Sequence, residues 1–480
     1  MSRFTDKLGR LQPMGPRPTA GEGVHVPPAS PAAPAADVPS AAPSERVSKL
    51  REQIAALQAK QARTPEPRPA PPRGWADEAD EARDEVNERA HDGAHGEPHR
   101  VHASESGLPG ELSETAYGPL RSVVTPYPED HQHGSVPVAL ALSAQARDLS
   151  ILALDPSLES IDFTRALYID TETTGLAGGA GTIPFLVGMA WFEGQKLIVE
   201  QLLLEKPGLE GPILRRLSEC LLRASCVVSY NGKSFDWPLL RTRFILNRVP
   251  APIVPAHLDL LHCARRVYKR RLGAVRLVHL EEQILGFTRV DDIPGALIPE
   301  TYLGFLRGRV PASALRPIVE HNRSDLVALS AIMGELVRRF SAEHTQDSRD
   351  ALSFAHVAAR AEDHERAVGL AESAAESDVR GELAPQALFL AGKLHEKARA
   401  LDLAIDRYLA SIEAAAGDGV QAGPAQLALA KLFERKQRDL GRAIEHARHT
   451  ACIEGDAACQ ARIARLTLRL QRAPSAARQS

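Results

Sequence analysis

The chain has 480 residues, of which 44% are apolar and 25% charged, and its net charge is −3. That is too long for one compact unit at ordinary domain sizes, and the composition is that of a water-compatible globular chain. No uninterrupted apolar run is long enough to span a bilayer, and the overall charge does not attract a polyanion, so a nucleic-acid partner needs a local basic patch. The N-terminus MSRFTDKLGR lacks the apolar segment of a secretory signal, so the cytoplasm is the expected location. Cys220, Cys226, Cys263, Cys452 and Cys459 are scattered with no CxxC pair, which excludes a disulfide framework and a cysteine zinc site.

Residues 1–110 read as a disordered tail. PPASPAAPAADVPSAAP and RTPEPRPAPPRG are too poor in bulky apolar residues to offset chain entropy. Within it, Val47, Leu50, Ile54 and Leu57 keep helical spacing and predict a short amphipathic helix over 45–62, either transient or docked on a partner or on the rest of the protein. His91, His95, His99 and His102 lie in a polar, unanchored run and are not counted as a metal site.

A globular α/β domain is expected over 137–340. ALYID (166–170), IPFLVGMAWFE and KLIVEQLLL read as strands, the last two joined at Gly194-Gln195 by a hairpin signal. GPILRRLSECLLRA reads as a helix, CVVSY (226–230) as a buried strand and FDWPLLRTRFIL as a second helix. A three-strand meander followed by helix, strand and helix predicts a mixed sheet covered by helices.

Over 350–472 the pattern becomes all-helical and repetitive. PQALFLAGKLHEKARALDLAID aligns with PAQLALAKLFERKQRDLGRAIE, matching Pro385 with Pro424, Ala391 with Ala430, Leu401 with Leu440 and Ala404 with Ala443. Small residues at helix contacts and this period resemble tetratricopeptide-type helix pairs, a candidate surface for a protein partner; a plain helical bundle is the alternative.

Three segments carry the chemistry. In Leu167-Tyr168-Ile169-Asp170-Thr171-Glu172-Thr173-Thr174-Gly175, Asp170 and Glu172 are two residues apart at the end of a strand, so both point to one face. Such a pair is costly unless a cation neutralises it, and hard divalent ions prefer oxygen ligands. In Asn231-Gly232-Lys233-Ser234-Phe235-Asp236 a strand runs into a turn and Asp236 begins a helix. In Glu320-His321-Asn322-Arg323-Ser324-Asp325, His321 and Asp325 are four apart and share a helix face. Asp259, in HLDLLH, is either a helix N-cap or a support for the same site. No P-loop GxxxxGK[ST] is present, and the Gly-rich stretch GLAGGAG reads as a tight turn rather than a dinucleotide site.

In this order the segments resemble the DEDD exonucleases, with DxE, then N…FD, then a histidine or tyrosine ahead of the last Asp. DTETTGLAGGAGTIPFLVG, HLDLLHCARR and DDIPGALIPETYLGFL are further similar to the YprB-type ribonuclease-H-like domain. The resemblance covers residues 165–330 or so. It implies a ribonuclease-H-like sheet and metal-dependent phosphodiester hydrolysis, with 3′–5′ exonuclease action by a two-metal mechanism. Asp170, Glu172, Asp236 and Asp325 would hold two Mg²⁺ or Mn²⁺ ions, and His321 would orient the attacking water or take its proton. In one departure, His321 stands four residues before the last Asp, where the tyrosine branch has its tyrosine; the histidine branch places its histidine five before.

Thr173, Thr174, Gly175 and Asn231 would approach the terminal nucleotide. Arg265, Arg266, Lys269 and Arg270, with Arg271, cluster on one helix and offer a basic patch for DNA or RNA, or else a solvated face. Two other functions fit the same residues: a nucleic-acid-binding module with little turnover, and an adaptor acting through the helical repeats.

Overall fold

A computed structural model describes residues 107–175, 181–253, 256–342, 347–378 and 381–472. All of them belong to one unit, Glu97–Ser480. The expected helix at 45–62, the histidine run and most of the GLAGGAG turn lie outside the described residues.

A seven-stranded mixed sheet forms the centre. β1 (Glu111–Thr115) and β2 (Gly118–Tyr127) form an antiparallel ribbon; β3 (Gln132–His133) and β4 (Val136–Pro137) form a separate small ladder. β5 (Ala166–Thr173), β6 (Pro184–Glu193) and β7 (Lys196–Leu203) are the meander. Its β6–β7 turn is the expected Gly194-Gln195 hairpin, with Glu193 paired to Lys196 and Gly194 at φ 61°. β8 (Cys226–Ser229) runs parallel to β5, and β9 (His257–Asp259) parallel to β8. The order is β1-β2-β7-β6-β5-β8-β9.

The sheet therefore begins at Glu111, ahead of the expected start at 137 and next to the expected tail. ELSET is almost wholly exposed and β2 contains Pro126, so neither strand carries a strong apolar signal. Their order comes from pairing with β7, a partner far along the chain.

Strand alternation sends side chains into two cores. Ala166, Tyr168, Val199 and Val228 face one; Leu167, Ile169, Leu202 and Val227 face the other. On the first side lie α1 (Ala146–Ala153), α4 (Leu260–Leu272) and most of α7 (Arg316–Ser341). On the second lie α2 (Glu210–Arg223), α3 (Asp236–Leu246) and α6 (Ile298–Leu306); α5 (Leu277–Leu280) is a short helix between α4 and α6. Helix α7 is buried from Leu326 to Val337 because it crosses the sheet. Gly188 on β6 permits this approach: a Cβ there would lie 2.2 Å from Asn322 Oδ1 and 2.7 Å from Leu326 Cδ1.

Among the described residues that follow, the α-helices are α8 (Ser348–Arg360), α9 (His364–Glu376), α10 (Ala384–Lys397), α11 (Leu401–Ala414), α12 (Gly419–Leu432), α13 (Leu440–Ala447), α14 (Ala451–Glu454) and α15 (Asp456–Arg472). From α9 to α13 each helix packs on the one before it. The aligned positions Ala391 and Ala430, and Ala404 and Ala443, are fully buried. Pro385 sits in the first turn of α10, whereas Pro424 lies inside α12, so the two copies differ in where their helix begins. The break expected near 340–350 is no seam in the packing: Phe354, Ala355, Ala358, Ala367 and Leu370 share a core with Tyr268, Phe340 and the sheet. Arg271 pairs with Asp350, and Arg366 with Asp148, across the same boundary. The five cysteines are unpaired, four of them buried. Among the described residues no helix is long and apolar enough to cross a membrane.

At the C-terminal end, Arg462 pairs with Glu454 and Thr450 donates to it, holding the Glu454 carboxyl down at about 2. A carboxyl depressed on folding contributes stability above its unfolded value near 4.5, and that contribution is lost as pH falls toward 2. Glu454→Gln is expected to flatten this acid limb. Amide exchange in α15 at pH 2–4 against pH 6 measures it, and an unchanged pH slope would exclude the linkage.

Candidate active site

The C-terminal end of β5 is the starting point. Asp170 and Glu172 follow Ala166 and Tyr168 on the face that α7 covers. Asn322, fully buried on α7, donates from Nδ2 to Asp170 Oδ2 at 2.7 Å. Gln201 on β7 fixes that amide, donating to Asn322 Oδ1 at 2.8 Å and to the Val319 carbonyl. Orientation of Asp170 is thus set by the strand, Gly188 and α7 together.

Thr171 faces the other way, toward α3, and its hydroxyl donates to Asp236 Oδ1. Asp236 opens α3 and so reaches the strand end from the opposite side. The intervening turn needs Asn231 in the left-handed region, φ 68°. Asp259 pins this turn: its carboxylate accepts from the backbone N–H of Asn231 at 2.8 Å and of Lys233 at 3.1 Å, and caps α4 through Leu261 N. The N-cap reading of Asp259 holds, and the same buried carboxylate also pins the Asn231 turn. His257 Nε2 lies 2.7 Å from Ser229 Oγ, and burial lowers its imidazole to about 4, so this support is neutral.

His321 and Asp325 come from one face of α7 and join Glu172. One ligand atom from each of Glu172, His321 and Asp325 lies within 4.8 Å of the others. His321 Nδ1 is 2.7 Å from Asp292 Oδ1. Arg289, its side chain 6% exposed, donates to Asp325 Oδ1, to Glu281 Oε2 and to Asp292 Oδ2. Glu281 is fully buried and also meets His133 Nε2 at 2.8 Å, and that ring stacks on Phe287. Arg289, Asp292, Asn322 and Glu281 were not singled out from sequence. Asn322 lies beside His321, but nothing in an isolated helix says which way its amide points.

Burial, and then the charges of Asp325, Glu172 and Asp236, hold the Asp170 carboxyl well above its ordinary value. Glu172 is pushed up to about 7, chiefly by burial and against the pull of His321. Burial likewise raises Asp236 and Asp325, the latter opposed by Arg289. Crowded half-buried carboxylates with one guanidinium beside them are under-neutralised. Hard oxygen donors at this density fit a divalent cation, which would remove the repulsion.

The expected nucleotide-contacting residues divide. Thr173 donates to the Gly175 carbonyl and Thr174 accepts from Ile183 N, so both hydroxyls shape the loop after β5. Asn231 stands on the Asp259-pinned turn. The basic helix α4 starts there, but Lys269 and Arg270 are about 15 Å along its axis from Asp259. Arg266 donates to the Leu152 carbonyl and Arg270 to Gln386, while Arg271 is paired with Asp350. Arg265 and Lys269 are exposed. Much of the basic cluster therefore joins α4 to neighbouring helices instead of gathering around the carboxylates.

Residues 167–337 match the RNase_H superfamily. The chain is also 30% identical over 367 residues to the uncharacterised protein YprB of Bacillus subtilis (strain 168), covering 72% of this chain and 83% of the relative. The chain belongs to the YprB family. Its superfamily domain spans β5 to α7, the elements that carry Asp170, Glu172, Asp236, His321 and Asp325. Nucleic-acid phosphodiester hydrolysis is the activity at superfamily level, and the mixed sheet covered by helices is the ribonuclease-H-like fold expected from the sequence.

Proposed function

We propose that this YprB-family chain is a metal-dependent 3′–5′ exonuclease working by two-metal hydrolysis. The observation that carries the reading is that Glu172, His321 and Asp325 offer ligand atoms within 4.8 Å of one another at the end of β5, beside the buried carboxyls of Asp170 and Asp236, all four carboxyls being raised by burial. These four residues would hold Mg²⁺ or Mn²⁺. The bound ions would activate a water and stabilise the leaving 3′ oxygen. The protein's own part is to hold the carboxylates apart and aimed: Asn322 orients Asp170, Thr171 orients Asp236, and Arg289 holds one oxygen of Asp325. The loop of Thr173, Thr174 and Gly175 would lie along the terminal nucleotide, with Asn231 opposite and exposed Arg265 and Lys269 of the basic helix reaching the phosphates farther along the strand. A cytoplasmic setting agrees with unpaired cysteines.

End-labelled single-stranded DNA and RNA, incubated with Mn²⁺, Mg²⁺ or EDTA, test this beside Asp170→Ala/Glu172→Ala. Shortening from the 3′ end by the wild type, abolished by EDTA and by the double substitution, is the expected result. Binding without cleavage under either metal would overturn it in favour of a nucleic-acid-binding module.

A further inference from the structure

We infer that His321 is a metal ligand through Nε2, sharing one cation with Glu172 and Asp325, and is not the base that takes the water's proton. The inference rests on the metal-dependent reading of the same site and departs from the role that resemblance implies for this histidine.

The tautomer is the first step. Asp292 Oδ1 lies 2.7 Å from His321 Nδ1, and an ionised carboxylate only accepts, so Nδ1 carries the hydrogen. Arg289 Nη1 is 3.4 Å from the same nitrogen but is itself a donor, so the shorter carboxylate contact decides. In the neutral ring, the form that binds a metal, Nε2 is then left as an acceptor.

That acceptor faces other acceptors. Asp325 Oδ2 is 3.8 Å from Nε2, and a Glu172 oxygen completes the group within 4.8 Å. Asp325 Oδ1 is committed to Arg289, which leaves Oδ2 as its free donor atom. Three lone-pair donors turned on one another are stable around a cation. With metal–ligand distances of about 2.1 Å, neighbouring ligands lie about 3 Å apart and opposite ones about 4.2 Å, which this group can meet by small adjustments. Asp292 behind the imidazole makes the carboxylate–histidine–metal arrangement that fixes ring and tautomer together.

Helix geometry explains the spacing. At 3.6 residues per turn, a residue four before Asp325 lies about 40° from it around the helix, whereas one five before lies about 140° away. His321 at the four-residue spacing can therefore share an ion with Asp325, and a histidine one position earlier could not. A nitrogen donor among oxygens also shifts preference from Mg²⁺ toward Mn²⁺.

The test is pulsed electron paramagnetic resonance on the full chain loaded with Mn²⁺, together with Mn²⁺ and Mg²⁺ titrations. An imidazole ¹⁴N coupling is expected in the wild type and absent in His321→Gln. Asp292→Asn is expected to weaken Mn²⁺ binding by about 10- to 100-fold, with Mg²⁺ binding less affected. Circular dichroism establishes that both variants are folded. Mn²⁺ bound in an Asp170- and Glu172-dependent manner but with no nitrogen coupling would overturn the inference and leave the nuclease reading standing. No Mn²⁺ binding by the wild type would overturn both.

Discussion

Asp170→Asn is expected to abolish metal-dependent hydrolysis and, in metal-free protein, to raise stability. Asp170 has burial and three neighbouring carboxylates against its charged form. Asparagine keeps the shape, and its carbonyl can still accept the hydrogen bond from Asn322. Removing a buried like charge without leaving a cavity is expected to stabilise the fold by on the order of 1 kcal/mol. The same change removes a ligand from a site whose charge stabilises the transition state. A loss of several kcal/mol there corresponds to a fall of about 10³-fold in rate. Urea unfolding in EDTA and single-turnover cleavage in Mn²⁺ measure the two arms. A variant that loses stability in EDTA would mean that the carboxylate cluster is a structural network and no cation site.

Phe354→Ala is expected to destabilise the nuclease domain, although Phe354 lies in the helical region. Its side chain is fully buried, its ring 5.5 Å from that of Phe340 and 6.4 Å from that of Tyr268. Removing a buried phenylalanine costs about 3–5 kcal/mol, a large part of a typical domain's stability. Truncation at 344 removes the same cover from Tyr268 and Phe340, and is expected to give aggregated protein. Truncation after Ala398 keeps α8 to α10 over that core and is expected to give a folded, metal-responsive chain. Denaturation followed by near-ultraviolet dichroism separates these outcomes. Equal behaviour of the two truncations would show that the shared core is dispensable.

Much of this was legible from residues alone. Strand period placed Asp170 and Glu172 on one face, and helix period placed His321 with Asp325, because both are properties of local backbone geometry. The meander, its hairpin and the helices on either side of β8 follow equally from local apolar pattern and turn chemistry. β1 and β2 were not legible: β1 is an exposed edge strand with little pattern of its own, and β2 is ordered by pairing with β7, a partner far along the chain.

The basic residues of α4 show the opposite limit. Their charge and spacing were plain, but whether Arg266, Arg270 and Arg271 face a polyanion or the protein depends on helices up to 116 residues away. Asn322 on Asp170, Asp259 beneath the Asn231 turn, and Arg289 among Asp325, Asp292 and Glu281 have the same character. The sequence by itself determined that Asp170 pairs with Glu172 and His321 with Asp325, because those positions obey short-range periodicity, whereas resemblance alone implied that they join Asp236 in one site. Only the tertiary structure decided how each is aimed, because hydrogen bonds between positions 28 to 152 residues apart exist once the sheet and α7 have packed, and leave no signature in local order.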